Sequence, residues 1–151
     1  MNITYLTKLQ ENPVKGSFSN EPLSLNEIQQ LENLYFSGNS FPKALAEMLF
    51  LAGQYCIVLD FGDNDNQQEL QDYVRSKMIN KNKSINRPFY VIDIYNATDQ
   101  FVFVYLDEGE NPSVYEAHYY DDQNWITKID DSLSKFIFDL INRVIQGRNP
   151  Y

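Results

Sequence analysis

The sequence predicts an α+β fold in a single domain: an antiparallel sheet of about four strands packed with N-terminal helices and a C-terminal helix. Three observations lead there. The chain has 151 residues, 43% of them apolar, a length typical of one domain that buries roughly 68–70% of its unfolded surface. Segments with helical periodicity fill the first half and the C-terminal end, whereas β-rich runs gather between Phe89 and Tyr120. Helices and strands kept apart, with short links between the strands, make an α+β pattern and not a βαβ repeat.

Ile3, Leu6 and Leu9 recur three apart and predict a short amphipathic helix ending near Asn12-Pro13. Gly16 to Pro22, rich in turn-forming residues, reads as a loop. This N-terminal helix and loop (1–23) precede the core of the domain (24–147). Ser24 and Glu27 have capping-box spacing, in which each side chain satisfies an orphan amide of the other. The helix they open carries Leu25, Ile28, Leu31, Leu34 and Tyr35 as one apolar stripe and stops at Ser37-Gly38-Asn39. Pro42 suits the first turn of the next helix, where its missing N–H costs nothing. Leu45, Met48, Leu49 and Ala52 form the buried face of that helix, and Gly53 is placed as its C′ residue.

Tyr55 to Leu59 is short, β-rich and bounded by turn residues, so it predicts a strand. Leu70, Tyr73, Val74 and Met78 place a helix from Asn66 to about Asn80. Three further strands follow at Phe89 to Tyr95, Gln100 to Leu106 and Ser113 to Tyr120, the first two joined by the Asn96-Ala97-Thr98-Asp99 turn. The last helix runs from Ser132 to about Gln146, with Leu133, Phe136, Ile137, Leu140, Ile141 and Val144 inward, and Gly147 ends it.

Chemistry is conspicuous by its absence. No dinucleotide, P-loop, zincin or nucleophile-elbow motif occurs. Asp60-Phe61-Gly62 copies a kinase tripeptide without the loops that give it meaning. Asp63-Asn64-Asp65-Asn66 opens like a calcium loop, but Gln68 and Val74 stand where such a loop needs Gly and Glu. Cys56 is the only cysteine, which excludes an internal disulfide and any zinc site built on several cysteines, and His118 is the only imidazole. The adjacent acids Asp121-Asp122 and Asp130-Asp131 read as loop charge, the latter pair at the start of the last helix. The expectation is a chain that is not an enzyme and uses neither metal nor cofactor.

The arrangement of charge is the informative feature. The formal net charge is −9, which argues against binding nucleic acid or an anionic membrane and for a basic protein partner. Asp60, Asp63, Asp65, Glu69 and Asp72 form one stretch without Lys or Arg. Asp107, Glu108, Glu110, Glu116, Asp121, Asp122, Asp130 and Asp131 form a second, with Lys128 alone against them. Arg75, Lys77, Lys81, Lys83 and Arg87 make a basic patch between the two. Acids of one sign speed encounter with a cationic partner, and Tyr or Trp beside them are common interface anchors. The expected contact residues are therefore Asp60, Asp63, Asp65, Glu69, Asp107, Glu108, Glu110, Tyr119, Tyr120, Asp121, Asp122 and Trp125. The N-terminus lacks the apolar run of about 7–15 residues that a secretory signal needs, so the cytoplasm is the expected compartment.

The capped helix Leu25-Asn26-Glu27-Ile28-Gln29-Gln30-Leu31-Glu32, the Phe41-Pro42 helix through Leu45 and Leu49 to Gly53, the strand Ser113-Val114-Tyr115 and the helix start Asp131-Ser132-Leu133-Ser134-Lys135-Phe136-Ile137 together resemble the SUKH superfamily. That group joins fungal cell-wall-synthesis regulators to bacterial toxin-immunity proteins. The resemblance covers roughly Leu25 to Ile145. It implies a non-catalytic α+β protein-binding domain, an immunity protein neutralising a cognate toxin of the nuclease or nucleic-acid-deaminase class. Two alternatives stand beside it: a regulatory scaffold for other cellular proteins, and a small-molecule or peptide binder with a pocket lined by Phe89, Tyr95, Phe101 and Phe103.

Overall fold

The chain begins by wrapping its own backbone around a buried acid. In the computed structural model, which describes residues 1–95, 99–120 and 123–150, Thr4, Tyr5 and Leu6 donate their amides to Glu47 Oε1 at 2.9, 2.8 and 3.0 Å. Thr4 to Leu6 wrap around this carboxylate ahead of the helix, Leu6 is the N-cap at φ −101°, and the predicted helix begins late, as α1 (Thr7–Glu11). The segment expected as a loop from Gly16 contributes the turn and second strand of a small antiparallel hairpin, β1 (Val14–Lys15) and β2 (Phe18–Ser19).

The capping box forms as expected: Ser24 Oγ accepts from Glu27 N at 3.1 Å and Glu27 Oε2 accepts from Ser24 N at 2.7 Å, opening α2 (Leu25–Tyr35). Its stripe is narrower than predicted. Ile28 and Leu31 are buried, whereas Leu25 and Leu34 face outward. In α3 (Lys43–Ala52), Leu45, Met48, Leu49 and Ala52 are completely buried. Gly53 follows with right-handed φ of −72°, so it is not a left-handed C′ residue. Space makes it glycine: a Cβ there would sit 2.5 Å from Leu49 O and 2.6 Å from Leu23 Cγ.

Tyr55 to Leu59 is not a strand. Only an isolated bridge, Glu21 to Tyr55, forms there, and Cys56, Ile57, Val58 and Leu59 are all buried in succession. A strand on one sheet face would alternate; this segment threads the core as coil. Helix α4 (Gln67–Asn80) matches its expectation, with Asn66 Oδ1 accepting from Glu69 N at 2.9 Å as the N-cap.

The sheet is a meander, β3 (Phe89–Tyr95), β4 (Gln100–Tyr105), β5 (Val114–His118) and β6 (Ile126–Asp130), antiparallel throughout and in that spatial order. The predicted number of strands holds, but β6 takes the place assigned to Tyr55–Leu59. Residues 96–98 of the predicted turn lie outside the described residues. Helix α5 (Leu133–Ile145), capped by Ser132, closes the chain.

Both sheet faces are covered. Tyr90, Ile92, Val102, Val104 and Val114 pack in one cluster with the buried residues of α1, α2, α3 and α5. Phe89, Val91, Ile94, Phe101, Phe103 and Ala117 pack in another against Leu70, Val74 and Met78 of α4. The α4 cluster holds three of the four aromatics expected to line a pocket, and Tyr95 packs with the opposite cluster. Those four residues therefore share no cavity.

Candidate partner-binding surface

Strand register decides which of the expected contact residues meet. At one end of the sheet Tyr105 pairs with Phe89, and at the other Gln100 pairs with both Tyr95 and His118. Asp107, Glu108 and Glu110 follow Tyr105 at the first end. Tyr119, Tyr120 and Trp125 lie between His118 and Ile126 at the second. Six residues of β4 separate the ends, about 20 Å. Asp60 belongs to the second end, because its backbone oxygen accepts from Ile94 N at 3.0 Å. Asp63, Asp65 and Glu69 follow it into α4. Asp121 and Asp122 lie outside the described residues.

The second acidic stretch is largely neutralised from within. Arg87 holds Asp107 through Nη2 at 2.6 Å and Nε at 3.3 Å, and reaches Glu108 at 3.5 Å. Its guanidinium also lies 3.8 Å from the Tyr105 ring centre. This hydrogen-bonded pairing keeps the Asp107 carboxyl below the ordinary aspartate range. Asp131 pairs with Lys128 at 3.0 Å and Asp130 with Lys135 at 3.6 Å. Part of the basic patch is engaged in the same way: Lys77 pairs with Asp99 at 3.0 Å. Arg75 is wedged between the Tyr35 and Phe89 rings and donates to Phe89 O at 2.8 Å.

The first stretch is different. Among the described residues none of Asp60, Asp63, Asp65, Glu69 or Asp72 has an ion-pair partner. Their bonds are local: Asp60 Oδ1 accepts from Gly62 N at 2.7 Å, Glu69 Oε2 from Asp65 N at 2.8 Å, and Asp72 Oδ1 from Tyr35 O–H at 2.7 Å. Gly62 makes the turn possible, with φ of +68° and Ile94 Cδ1 only 2.5 Å from where a Cβ would stand. Glu69, Asp72 and Tyr73 line a shallow open concavity on α4 together with Asn64, Asn66, Gln68 and Ser76.

Tyr73, which shares the helical spacing of Leu70, Val74 and Met78, is 48% exposed while those three are buried, and it is an aromatic absent from the expected contact residues. Tyr119 is half-buried and stacks on Trp125. Burial, then the Asp99 charge and Tyr73, push its hydroxyl up to about 12. Tyr120 is 69% exposed and stacks on His118.

A second feature lies on the other side of the sheet. Asp93 and Val91 pair with the adjacent residues Val102 and Phe103, so Ile92 is an extra residue, a β-bulge. The bulge resets the alternation and brings Asp93 onto the face of Val102, in an otherwise apolar strand. Its Oδ1 accepts from Asp60 N at 2.7 Å. Burial, opposed by the Asp60 and Ile94 amide bonds and reinforced by the Asp60 charge, raises Asp93 to about 7. Asp60 and Asp93 stand at a cleft of about 610 Å³ whose walls include Val102, Ile129, Phe136 and Leu140.

The outer edge of β3 is capped by α4 side chains. Gln71 Nε2 donates to Val91 O at 2.7 Å while its Oε1 accepts from Val91 N at 2.9 Å, replacing a neighbouring strand. Gln67, one turn earlier, bridges Gly53 O and the Tyr90 hydroxyl at 2.8 Å each.

Cys56 is fully buried and burial pushes its thiol up to about 12, far from the thiolate that reacts. Among the described residues no group of three His, Cys, Asp or Glu is placed to hold a metal ion, and no helix is long and apolar enough to cross a membrane. No family model matches this sequence, and no curated protein or solved structure matches it.

Proposed function

We propose that this chain is a non-catalytic protein-binding domain that neutralises a basic toxin in the cytoplasm by covering the cationic surface with which such a toxin grips nucleic acid. One observation carries the reading: among the described residues none of the five acids from Asp60 to Asp72 has an ion-pair partner, whereas the second stretch has Arg87, Lys128 and Lys135. An uncompensated single-sign surface raises encounter rates with an oppositely charged partner and fixes its orientation. The exposed Tyr73 and the Tyr119–Trp125 stack supply rigid aromatic area beside it. The resemblance to immunity proteins of the SUKH superfamily points the same way.

The experiment is parallel affinity capture from the source cell with the wild-type chain and an Asp63→Lys/Asp65→Lys variant, followed by toxicity rescue with the captured protein. The reading expects a basic protein enriched by wild type, whose association slows by about tenfold in the variant and at raised salt. Wild type, and not the variant, should rescue cells expressing it. Equal capture by both proteins refutes this face. Capture of a non-toxic regulator in a salt-dependent way would make the chain a scaffold instead.

A further inference from the structure

We propose that the cleft between the β3–β4 face of the sheet and α5 is a binding site for an organic cation with an apolar body, such as an arylalkylammonium group. Three features support it; Asp60 is shared with the acidic stretch leading into α4, whereas Asp93 and the apolar walls are not. First, the cavity measures about 610 Å³, within the range that takes a small organic molecule. Second, its walls are chiefly apolar, with Val102, Ile129, Phe136 and Leu140 drawn from two strands and a helix. Third, Asp60 and Asp93 line it beside Tyr95 and Arg143, and among the described residues neither acid has an ion-pair partner. A carboxylate that is 7% exposed and lacks a counter-ion is costly to keep ionised. A cation arriving with apolar surface removes that cost and covers the walls in one step.

The bulge at Ile92 makes the site. Without the extra residue, Asp93 would point to the α4 face with Phe101 and Phe103. Arg143 of α5 also borders the cleft, where its Nη1 donates to Pro150 O at 3.4 Å. An anion drawn to Arg143 is therefore the competing occupant to be tested.

Protonation sharpens the prediction. The groups around Asp93 are Asp60 on the preceding segment, Cys56 in the core coil, Tyr95 on its own strand with Glu116 of β5 beyond, and Arg143 of α5. Burial holds Cys56 near 12 and Tyr95 above its ordinary range, so both stay neutral at moderate pH. Asp93, at about 7, is the cleft group with a raised carboxyl. Protons and the cation compete for it, so cation affinity rises with pH through that value.

The test is an amide-resolved NMR titration of the full chain with phenethylamine, with 2-phenylethanol as neutral isostere and 3-phenylpropionate as anion. At about pH 8 phenethylamine should move the amides of Asp60, Asp93, Ile94 and Leu140, binding about tenfold tighter than the alcohol, and it should weaken roughly tenfold at about pH 5.5. Asp60→Asn should weaken phenethylamine binding while leaving the alcohol unchanged. Asp93→Asn, if it folds, should abolish the pH dependence. Equal binding of amine and alcohol, tighter binding of the anion, or no cleft shift with any probe overturns the proposal. None of these outcomes touches capture of a basic protein through Asp63 and Asp65.

Discussion

Glu47 and Asp93 are both acids sunk into apolar surroundings, at 0% and 7% exposure, yet their partners differ. Burial would raise the Glu47 carboxyl, but the Leu6 and Tyr5 amides, the Lys43 ammonium and the Thr4 amide outweigh it and hold it below the ordinary range. Lys43 Nζ stands 3.2 Å from its second oxygen. Asp93 has two amides, no cation within ion-pair distance among the described residues, and a second carboxyl nearby, so burial prevails and lifts it to about 7. The same chemical group is a structural clamp in one place and an unsettled charge at a cleft in the other. What separates them is the number of donors and the presence of one cation.

The largest expected effect is at the clamp. Glu47→Ala should destabilise the fold by about 3–5 kcal/mol, the range for breaking a buried charged cluster by removing one member. Urea unfolding measures the loss, and hydrogen exchange should show Thr4, Tyr5 and Leu6 unprotected. A cost below about 1 kcal/mol would mean the amides find water as easily as Glu47, and the comparison would break.

Next comes pH, where the two acids have opposite signs. Glu47 is depressed in the fold, so its contribution is present above its unfolded value and is lost as pH falls through the lower folded value. Asp93 is raised in the fold, so its contribution is present below its unfolded value and is lost as pH rises through about 7. Unfolding free energies of wild type and Asp93→Asn at about pH 5 and about pH 8 test this. The variant should gain roughly 2–4 kcal/mol on wild type between the two. Parallel curves would show that Asp93 titrates normally.

A neutral counterpart lies on α4. Gln71 satisfies both polar groups of Val91 at the buried β3 edge, so Gln71→Leu should cost about 1–3 kcal/mol by leaving them orphaned. The variant should also associate more readily, since an open edge is a template for another strand. Denaturation midpoint and light scattering measure the two effects.

These sites explain what the sequence carried and what it did not. The capping box at Ser24 and Glu27, the buried face of α3, the N-cap of α4 and strands β3 to β5 depend on residues close together in the chain, and periodicity and caps expose them. Glu47 sits in an apolar helix, and nothing local says that three amides over forty residues away will find it. The bulge that turns Asp93 inward arises only from pairing with β4. Strand β6 was missed because Ile126 to Asp130 mixes charge with apolar residues on an edge, and Tyr55 to Leu59 was mistaken for a strand because its apolar run serves a buried coil. Of the expected contact residues, the acid clusters are visible in the order of the sequence. Their pairing is not, because Arg87 meets Asp107 twenty residues on through strand register.

The smallest effect carries the comparison from the interior to the surface. Asp63 and Asp107 are both exposed acids near a turn, one without an ion pair and one held by Arg87. Replacing each with lysine changes net charge identically, so a difference in stability reports local pairing and not the global charge. Asp107→Lys loses the Arg87 bonds and places two cations together beside Tyr105, and should cost about 1 kcal/mol. Asp63→Lys removes one charge from an unrelieved acidic segment and should stay within about 0.5 kcal/mol of wild type, on the stabilising side. Because both groups face water, the gap should narrow in about 1 M salt, where the screening length is near 3 Å. The Glu47 and Asp93 effects should largely persist there, since charges at 0% and 7% exposure are screened much less than exposed ones. If salt erased all four differences alike, burial would not be what distinguishes the clamp and the cleft from the surface.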